Sequence, residues 1–133
     1  MTFKLPVDVR ALREEIARAS LIRSSQQAFG EEPPDYIIND PREIKRAERE
    51  WCENYARQVA LLVVAAKQAL SYFDHQGHEA ALVAFTGSVV TKPVLDKFMH
   101  NNLYLEELVA HTCRDAEQFR ALLVLLSKLS DKS

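Results

Sequence analysis

Residues 58–67 read Gln-Val-Ala-Leu-Leu-Val-Val-Ala-Ala-Lys, and this stretch decides how the rest of the chain folds. Its eight apolar residues, Val59–Ala66, run without a break between charged segments. A membrane-spanning helix needs about 20 apolar residues, so this run is too short to cross a bilayer. As a helix it is apolar on every side, which is typical of a central helix surrounded by others. A subunit interface is the alternative that this pattern leaves open.

The composition predicts one globular domain across residues 1–133. The chain is 47% hydrophobic and 27% charged, as ordinary soluble proteins are. It contains only three glycines and five prolines, which favours a few long helices over many short strands. A chain of this length buries roughly two thirds of its unfolded surface, so it needs no metal or disulfide to fold.

The net charge of −2 argues against a global attraction to nucleic acid or to an anionic membrane. Any such binding requires a local patch of positive charge. The chain opens with MTFKLPVDVR, which lacks the apolar stretch of a secretory signal. We therefore expect a cytoplasmic protein whose two cysteines, Cys52 and Cys113, are free thiols.

Two segments precede the central run. Apolar residues at spacings of three and four predict a first helix over residues 8–28, capped by Asp8. Residues 29–40 then contain Gly30 and the pair Pro33-Pro34, which end a helix. We expect an extended loop over 29–40 whose apolar members pack against the bundle. These members are Tyr36, Ile37 and Ile38.

The sequence NDPREIKR carries the clearest helix start in the chain. Asp40 suits the N-cap, Pro41 the first helical position and Glu43 the third, as in a capping box. Since nothing breaks the pattern until Asp74, one helix is predicted over about 41–73. It would be about 50 Å long, more than a compact domain of this size requires. One end is therefore expected to project or to be covered by another chain.

A second long helix is predicted over about 103–129. Its leucines recur at alternating spacings of three and four, which resembles a heptad seam. Asp115 falls at the edge of this seam, one turn before Phe119. A carboxylate at that position either meets a partner that fixes register, or lies at the rim because the helix is slightly rotated.

Together these segments predict an all-α fold. We expect a four- or five-helix bundle in which two long central helices, about 41–73 and 103–129, form the spine. Residues expected at an interface, or setting helix register, are the aromatic and acidic members of these two helices. They are Trp51, Tyr55, Asp115 and Phe119.

No catalytic constellation can be assembled from the sequence. His75 and His78 flank a glycine, but the chain contains no Glu-x-x-His and no Gly-x-Ser-x-Gly. A structural zinc site needs four ligands, and the other candidates are isolated in sequence. We therefore predict no catalytic, cofactor-binding or metal-binding residues, and a metal-dependent or hydrolytic enzyme is the weakest of the functional readings.

A row of cations lies on one side of the predicted 41–73 helix. It comprises Arg42, Lys45, Arg46 and Arg49. Such a row can follow a phosphate backbone. Glutamates interleave with it at spacings that favour pairing along the helix, which predicts a solvated, self-paired face instead.

The sequence therefore favours a non-enzymatic interaction or assembly module. It would act as a homo-oligomer, or as a small subunit or adaptor in a larger protein complex. The alternative is a helical subunit or accessory factor of a nucleoprotein complex that contacts phosphates through the cationic row. A helical bundle alone does not choose between these functions.

Overall fold

The protein is described by a computed structural model over residues 5–87, 96–98 and 102–130. All regular structure in these ranges is α-helical, so the all-α bundle prediction is confirmed. The helices are α1 (Val9–Phe29), α2 (Asp35–Ile38), α3 (Pro41–Asn54), α4 (Ala56–Gln76), α5 (His78–Thr86), α6 (Leu103–Thr112) and α7 (Ala116–Ser127). Residues 96–98 are also helical. Pro93, a residue favoured at the first helical position, predicts a short helix over about 93–100, and the rest of that stretch lies outside the described residues.

The core forms around α4, which contains the apolar run. One face of this helix is buried and packs against α5 and α7. Its buried members are Val59, Leu62, Val63, Ala65, Ala66 and Ala69. The prediction of a core helix is therefore confirmed for this face. The expectation that the run is surrounded on all sides is wrong, because Ala60 is exposed and Val64 is 50% exposed.

The last helix, α7, supplies the apolar surface that meets α4. Four of its residues are buried, namely Phe119, Leu122, Leu123 and Leu126. The ring of Phe119 also meets the edge of Phe85 from α5, with centroids 5.9 Å apart. Edge-to-face aromatic pairs of this kind contribute beyond the area that they bury. These contacts hold α4, α5 and α7 together as one packed unit.

Helices α1 and α3 pack on each other and form a second, smaller apolar cluster of Ala17, Leu21, Ile44 and Ala47. Arg13 of α1 connects this pair to the end of α7. Its guanidinium donates to Glu48 Oε1 at 2.8 Å and to the Leu129 carbonyl at 2.6 Å, and it lies 3.1 Å from Cys52 Sγ. Its side chain is only 13% exposed. One arginine thus bonds to parts of the chain that are distant in sequence.

The predicted helix over 41–73 is in fact two helices, α3 and α4, that meet at Tyr55. This residue leaves helical geometry, with φ of −120° and ψ of 24°. Its ring packs 6.2 Å from Trp51 and 5.4 Å from Phe98, centroid to centroid, and Trp51 stacks on Phe98 at 5.3 Å. The break lets α3 lie on α1 while α4 enters the core, so no 50 Å helix has to be accommodated.

The predicted helix over 103–129 is also divided. Helix α6 ends at Thr112, and Asp115 adopts extended geometry before α7. The Asp115 side chain accepts a hydrogen bond from the Gln118 backbone N–H at 3.0 Å, which makes it an N-cap. The seam of leucines is therefore not one continuous stripe. The leucines keep the same spacing on both sides of the break because both helices bury their apolar faces in the same core.

The segment 29–40 is not fully extended. Gly30, at a positive φ of 75°, ends α1 as its position suggested. Residues 35–38 then form the single turn α2, in which the Asn39 side chain donates to the Asp35 carbonyl. Ile37 and Ile38 are half-buried, but Tyr36 is 76% exposed. The expected packing of Tyr36 against the bundle is therefore wrong.

The predicted helix starts are confirmed where a capping residue marks them. Asp8, Asp40 and Asn102 each accept a backbone N–H from the first turn of α1, α3 and α6 respectively. The first helix was predicted to begin within one residue of its actual start. Glu43 does not complete a capping box, because its carboxylate bonds to Arg46 instead.

Asn102 is expected to be worth more than an ordinary cap. It is only 3% exposed, it caps α6, and its amide donates to the Ile16 carbonyl of α1 at 3.2 Å. We predict that Asn102→Ala lowers the free energy of unfolding by about 1–3 kcal/mol, since a cap and a buried hydrogen bond are lost together. Urea unfolding followed by far-ultraviolet circular dichroism measures this loss.

Asp115→Ala is the matched control, because Asp115 caps α7 from an exposed position and its side chain makes no second hydrogen bond in the described part of the chain. Its cost should stay near about 1 kcal/mol or below. An equal cost for the two variants would show that the bond from Asn102 to α1 contributes nothing.

Candidate functional site

An apolar surface spans α4 and α5, and we call it the α4–α5 face. It consists of exposed side chains on the outer side of α4, joined by Val83 of α5. Val64 is 50% exposed, Tyr72 46% and Val83 67%. Between the two helices lies a groove of about 410 Å³, lined by Tyr72, Gln76, Glu79, Ala80, Val83 and Ala84.

The helical repeat explains why this face exists. An α-helix turns about 100° per residue, so Val64 lies opposite the buried Leu62 and Ala66. Because all eight residues of the run are apolar, the side that faces away from the core is apolar as well. Gly77, at φ of 97°, then joins α4 directly to α5, and α5 packs alongside. The positive φ favours glycine at this turn.

The two ends of the α4–α5 face carry opposite charges. Arg57 is exposed in the first turn of α4, and Glu79 is exposed in the first turn of α5, beyond the other end of α4. Within the described ranges neither has an ion-pair partner within 4.0 Å. Each is therefore available to a charge on another molecule.

A charged cavity of about 470 Å³ lies between α1 and α3, and we call it the α1–α3 cavity. Four cationic side chains line it, namely Arg10, Arg13, Arg18 and Lys45. The acidic side chains of its lining are Glu14 and Glu48. Its wall thus has an excess of two positive charges, although the whole chain is slightly negative.

A third concavity, of about 400 Å³, lies where α1 and α2 meet the start of α6. It combines apolar residues such as Ile22, Ile38 and Leu103 with charged ones. Burial raises the pKa of Tyr104 in its wall to about 12, and the Glu15 carboxylate adds to this effect. A hydroxyl held neutral in this way can donate a hydrogen bond at any physiological pH.

The structure does not gather the four cations expected to bind phosphate. Arg46 donates hydrogen bonds to Glu43 at 2.6 Å and to Glu50 at 2.9 Å, and these bonds, the one to Glu43 foremost, raise the pKa of Arg46. Lys45 lines the α1–α3 cavity instead. Arg42 and Arg49 remain exposed, with Arg42 3.9 Å from Asp40. The row is thus divided between a self-paired surface and a separate cavity.

The structure places the four residues expected at an interface, or setting helix register, in different surroundings. Trp51 and Phe119 are 4% and 0% exposed, so both belong to the core of this chain and present nothing to a partner. Tyr55 is half-buried at the junction of α3 and α4, and Asp115 is an exposed helix cap. Neither the register role nor the rim position considered for Asp115 describes it, because no helix continues through that point.

The two histidines near Gly77 have separate partners. His75 Nδ1 lies 2.8 Å from the Ser71 carbonyl of its own helix. His78 Nε2 lies 2.9 Å from the Cys113 carbonyl, and its ring meets the edges of Phe73 and Phe119. His78 thus joins α5 to the end of α6.

Three further observations bear on the class of protein. In the parts of the chain that the structure describes, no three His, Cys, Asp or Glu side chains are grouped to hold a metal ion. No helix in the same parts is both long and apolar enough to cross a membrane. Comparison of the chain with protein-family models, with curated proteins and with solved structures finds no match.

Reasoning from the sequence missed the α4–α5 face and the α1–α3 cavity. A signal for the first was present, because a run that is apolar on all sides exposes some of its members unless partners cover every side. No signal in the sequence identified Val83 as a neighbour of the outer side of α4, or showed that Arg18 and Lys45 line the same cavity. Those relations depend on how α4 meets α5 and how α1 meets α3.

Tyr104 gives a test of the packing around the third concavity. The unfolded chain releases this proton near pH 10, whereas the folded chain holds it until about pH 12. Between these values the unfolded state binds fewer protons, so stability falls as the pH rises. Below about pH 10 both states are protonated, and Tyr104 adds no pH dependence.

We therefore predict that above about pH 10 the melting temperature of Tyr104→Phe falls less steeply with rising pH than that of the wild type. A phenol absorbance titration of the native protein should show one of its four tyrosines ionising well after others. If Tyr104→Phe lacks that late step, the step belongs to the Tyr104 hydroxyl. If the variant keeps the late step, the environment described for Tyr104 is wrong.

Proposed function

We propose that this chain is a non-enzymatic assembly module that pairs with a second copy of itself through the α4–α5 face. The observation that carries this proposal is the exposure of three large apolar side chains on two adjoining helices, Val64 and Tyr72 on α4 and Val83 on α5, of which Tyr72 and Val83 line one groove. Exposed apolar residues scattered singly need no explanation, whereas a contiguous rimmed patch is typical of an interaction site. A cytoplasmic location, consistent with two free cysteines, forms part of the same proposal.

The arrangement of charge and shape along the α4–α5 face favours a second copy as the partner. Val64 and Tyr72 lie four residues on either side of Gln68 within α4. Arg57 lies in the first turn of α4, and Glu79 lies beyond the other end of α4, in the first turn of α5. If two copies of α4 cross antiparallel at Gln68, Val64 of each meets Tyr72 of the other. In the same arrangement Arg57 of each approaches Glu79 of the other.

When Val64 of one copy meets Tyr72 of the other, Tyr72 of the first copy also meets Val64 of the second. A two-fold interface requires this reciprocity. The Val64 side chain is expected to enter the partner's groove beside Tyr72. Few apolar residues take part, so the contact belongs to the small and reversible class of interfaces. We therefore expect a dimer that dissociates on dilution.

The nucleoprotein alternative has less support. Its cationic row is interrupted where Arg46 bonds to two glutamates, and Lys45 lines a different surface. Phosphate binding along the row would first have to displace these hydrogen bonds. An enzymatic function has no constellation of described side chains to favour it over the assembly reading.

Val83→Glu is predicted to convert the dimer to a monomer. The substitution places a carboxylate in the apolar part of the face, where pairing would bury it without a partner. We expect dimer affinity to fall by at least about tenfold, measured by light scattering across a dilution series. Val7→Glu is the matched control, because Val7 is 84% exposed and lies outside the α4–α5 face.

A wild-type chain that stays monomeric at high concentration would exclude self-association. Equal effects of Val83→Glu and Val7→Glu would exclude the α4–α5 face as the contact, since both variants carry the same change of charge. Co-purifying nucleic acid, seen as excess absorbance at the nucleic-acid maximum, would favour the nucleoprotein alternative instead.

The antiparallel register makes a separate prediction. Arg57→Glu and Glu79→Arg should each weaken the dimer, because each places like charges opposite one another. The double variant restores opposite charges and should recover most of the wild-type affinity. Additive weakening in the double variant would show that these two residues do not meet, and would require another register or another partner.

A further inference from the structure

The α1–α3 cavity contains a concentration of positive charge that the assembly function does not use. Its acidic members are already engaged by their neighbours on the wall. Glu48 accepts from Arg13 at 2.8 Å, and Glu14 lies 3.6 Å from Arg10. The second pair is long and exposed, so it is weak. The positive charge of Lys45 and part of that of Arg10 therefore remain uncompensated.

Lys45 is available for binding. It is exposed, it lines the cavity, and it has no carboxylate within 4.0 Å in the part of the chain that the structure describes. Arg46 and Glu50 of the same helix bond to each other. Lys45 therefore differs from its neighbour in lacking an ion-pair partner among the described residues.

Arg18 supplies the second observation. Its Nη1 donates to Glu15, but its Nε is shielded from solvent and has no hydrogen-bond acceptor among the described residues. An unsatisfied buried donor is uncommon in folded proteins, and its cost is higher on a charged group. Because this Nε is shielded, an acceptor oxygen in the cavity can reach it only if the Arg18 side chain shifts, and such an acceptor would then remove that cost.

We propose that the α1–α3 cavity is a binding site for the phosphate group of a small molecule. Lys45 supplies an uncompensated charge, Arg18 a free donor, and Arg10 further positive potential at the exposed rim. Phosphate suits this set because its oxygens accept several charge-assisted hydrogen bonds at once. The positive wall concentrates such an anion even though the whole chain is slightly negative.

The size of the cavity points to a phosphate ester rather than to free phosphate. A volume of about 470 Å³ falls within the range of small-molecule sites, and inorganic phosphate would leave most of it to water. Pro41 and Ile44 line the same cavity and provide an apolar surface. The organic part of the ester would lie against these two residues.

Titration calorimetry of the full chain tests the proposal, with inorganic phosphate and phenyl phosphate as separate probes at constant ionic strength. We expect saturable binding of both, tighter for phenyl phosphate. Lys45→Gln and Arg18→Gln should each weaken binding by about tenfold, which corresponds to the loss of one charge-assisted hydrogen bond. Equal affinity for the two probes would still support the site but would assign it to free phosphate.

Arg49→Gln is the matched control, because Arg49 lies one turn beyond Lys45 on α3, is exposed, and is absent from the cavity wall. Its effect should be less than about twofold. Thermal melts show whether each variant folds, and Lys45→Gln alone decides the matter if Arg18→Gln does not fold. The proposal is overturned if neither probe binds saturably, or if Arg49→Gln weakens binding as much as Lys45→Gln.

Discussion

The packing of the inner face of α4 against α5 and α7 is the constraint on which the rest of the structure depends. Small residues such as Ala66 and Ala69 let neighbouring helices approach, while Leu62 and Phe119 fill the space between them. Once this face is fixed in the core, the opposite side of α4 must face outward. The exposure of Val64 is thus a direct result of core packing in a run that has no polar side to offer.

The arginines show how one side chain takes different roles according to its neighbours. Arg13 is largely buried and fully engaged, so it is structural. Arg46 is exposed but neutralised along its own helix, so it offers little to a ligand. Arg18 is partly engaged, with a shielded donor left over. The count of basic residues in α1 and α3 therefore says less about binding than the partners that each one already has.

Much of the fold could be predicted because helix ends carry local signals. Asp40 with Pro41 marks a helix start within a few residues of sequence, and the structure agrees. The break at Tyr55 could not be predicted in this way, since no local signal marks it and the ring that Tyr55 meets there, Phe98, is remote in sequence. Asp115 is a strong N-cap residue, but the regular leucine spacing across it favoured a continuous helix. The exposed side of α4 could have been predicted from its apolar run, but the helix that adjoins it and the whole of the α1–α3 cavity could not, because each depends on a contact between two helices that the core sets.

The bond from Arg13 to the Leu129 carbonyl has a consequence for the order of folding. The two residues are 116 positions apart, so this contact closes nearly the whole chain into a loop. The carbonyl lies just beyond α7, where helix ends leave acceptors unpaired. During synthesis the guanidinium of Arg13 emerges 116 residues before this acceptor. The bond to the Leu129 carbonyl is therefore the last that Arg13 can make among its contacts with Glu48, Cys52 and Leu129.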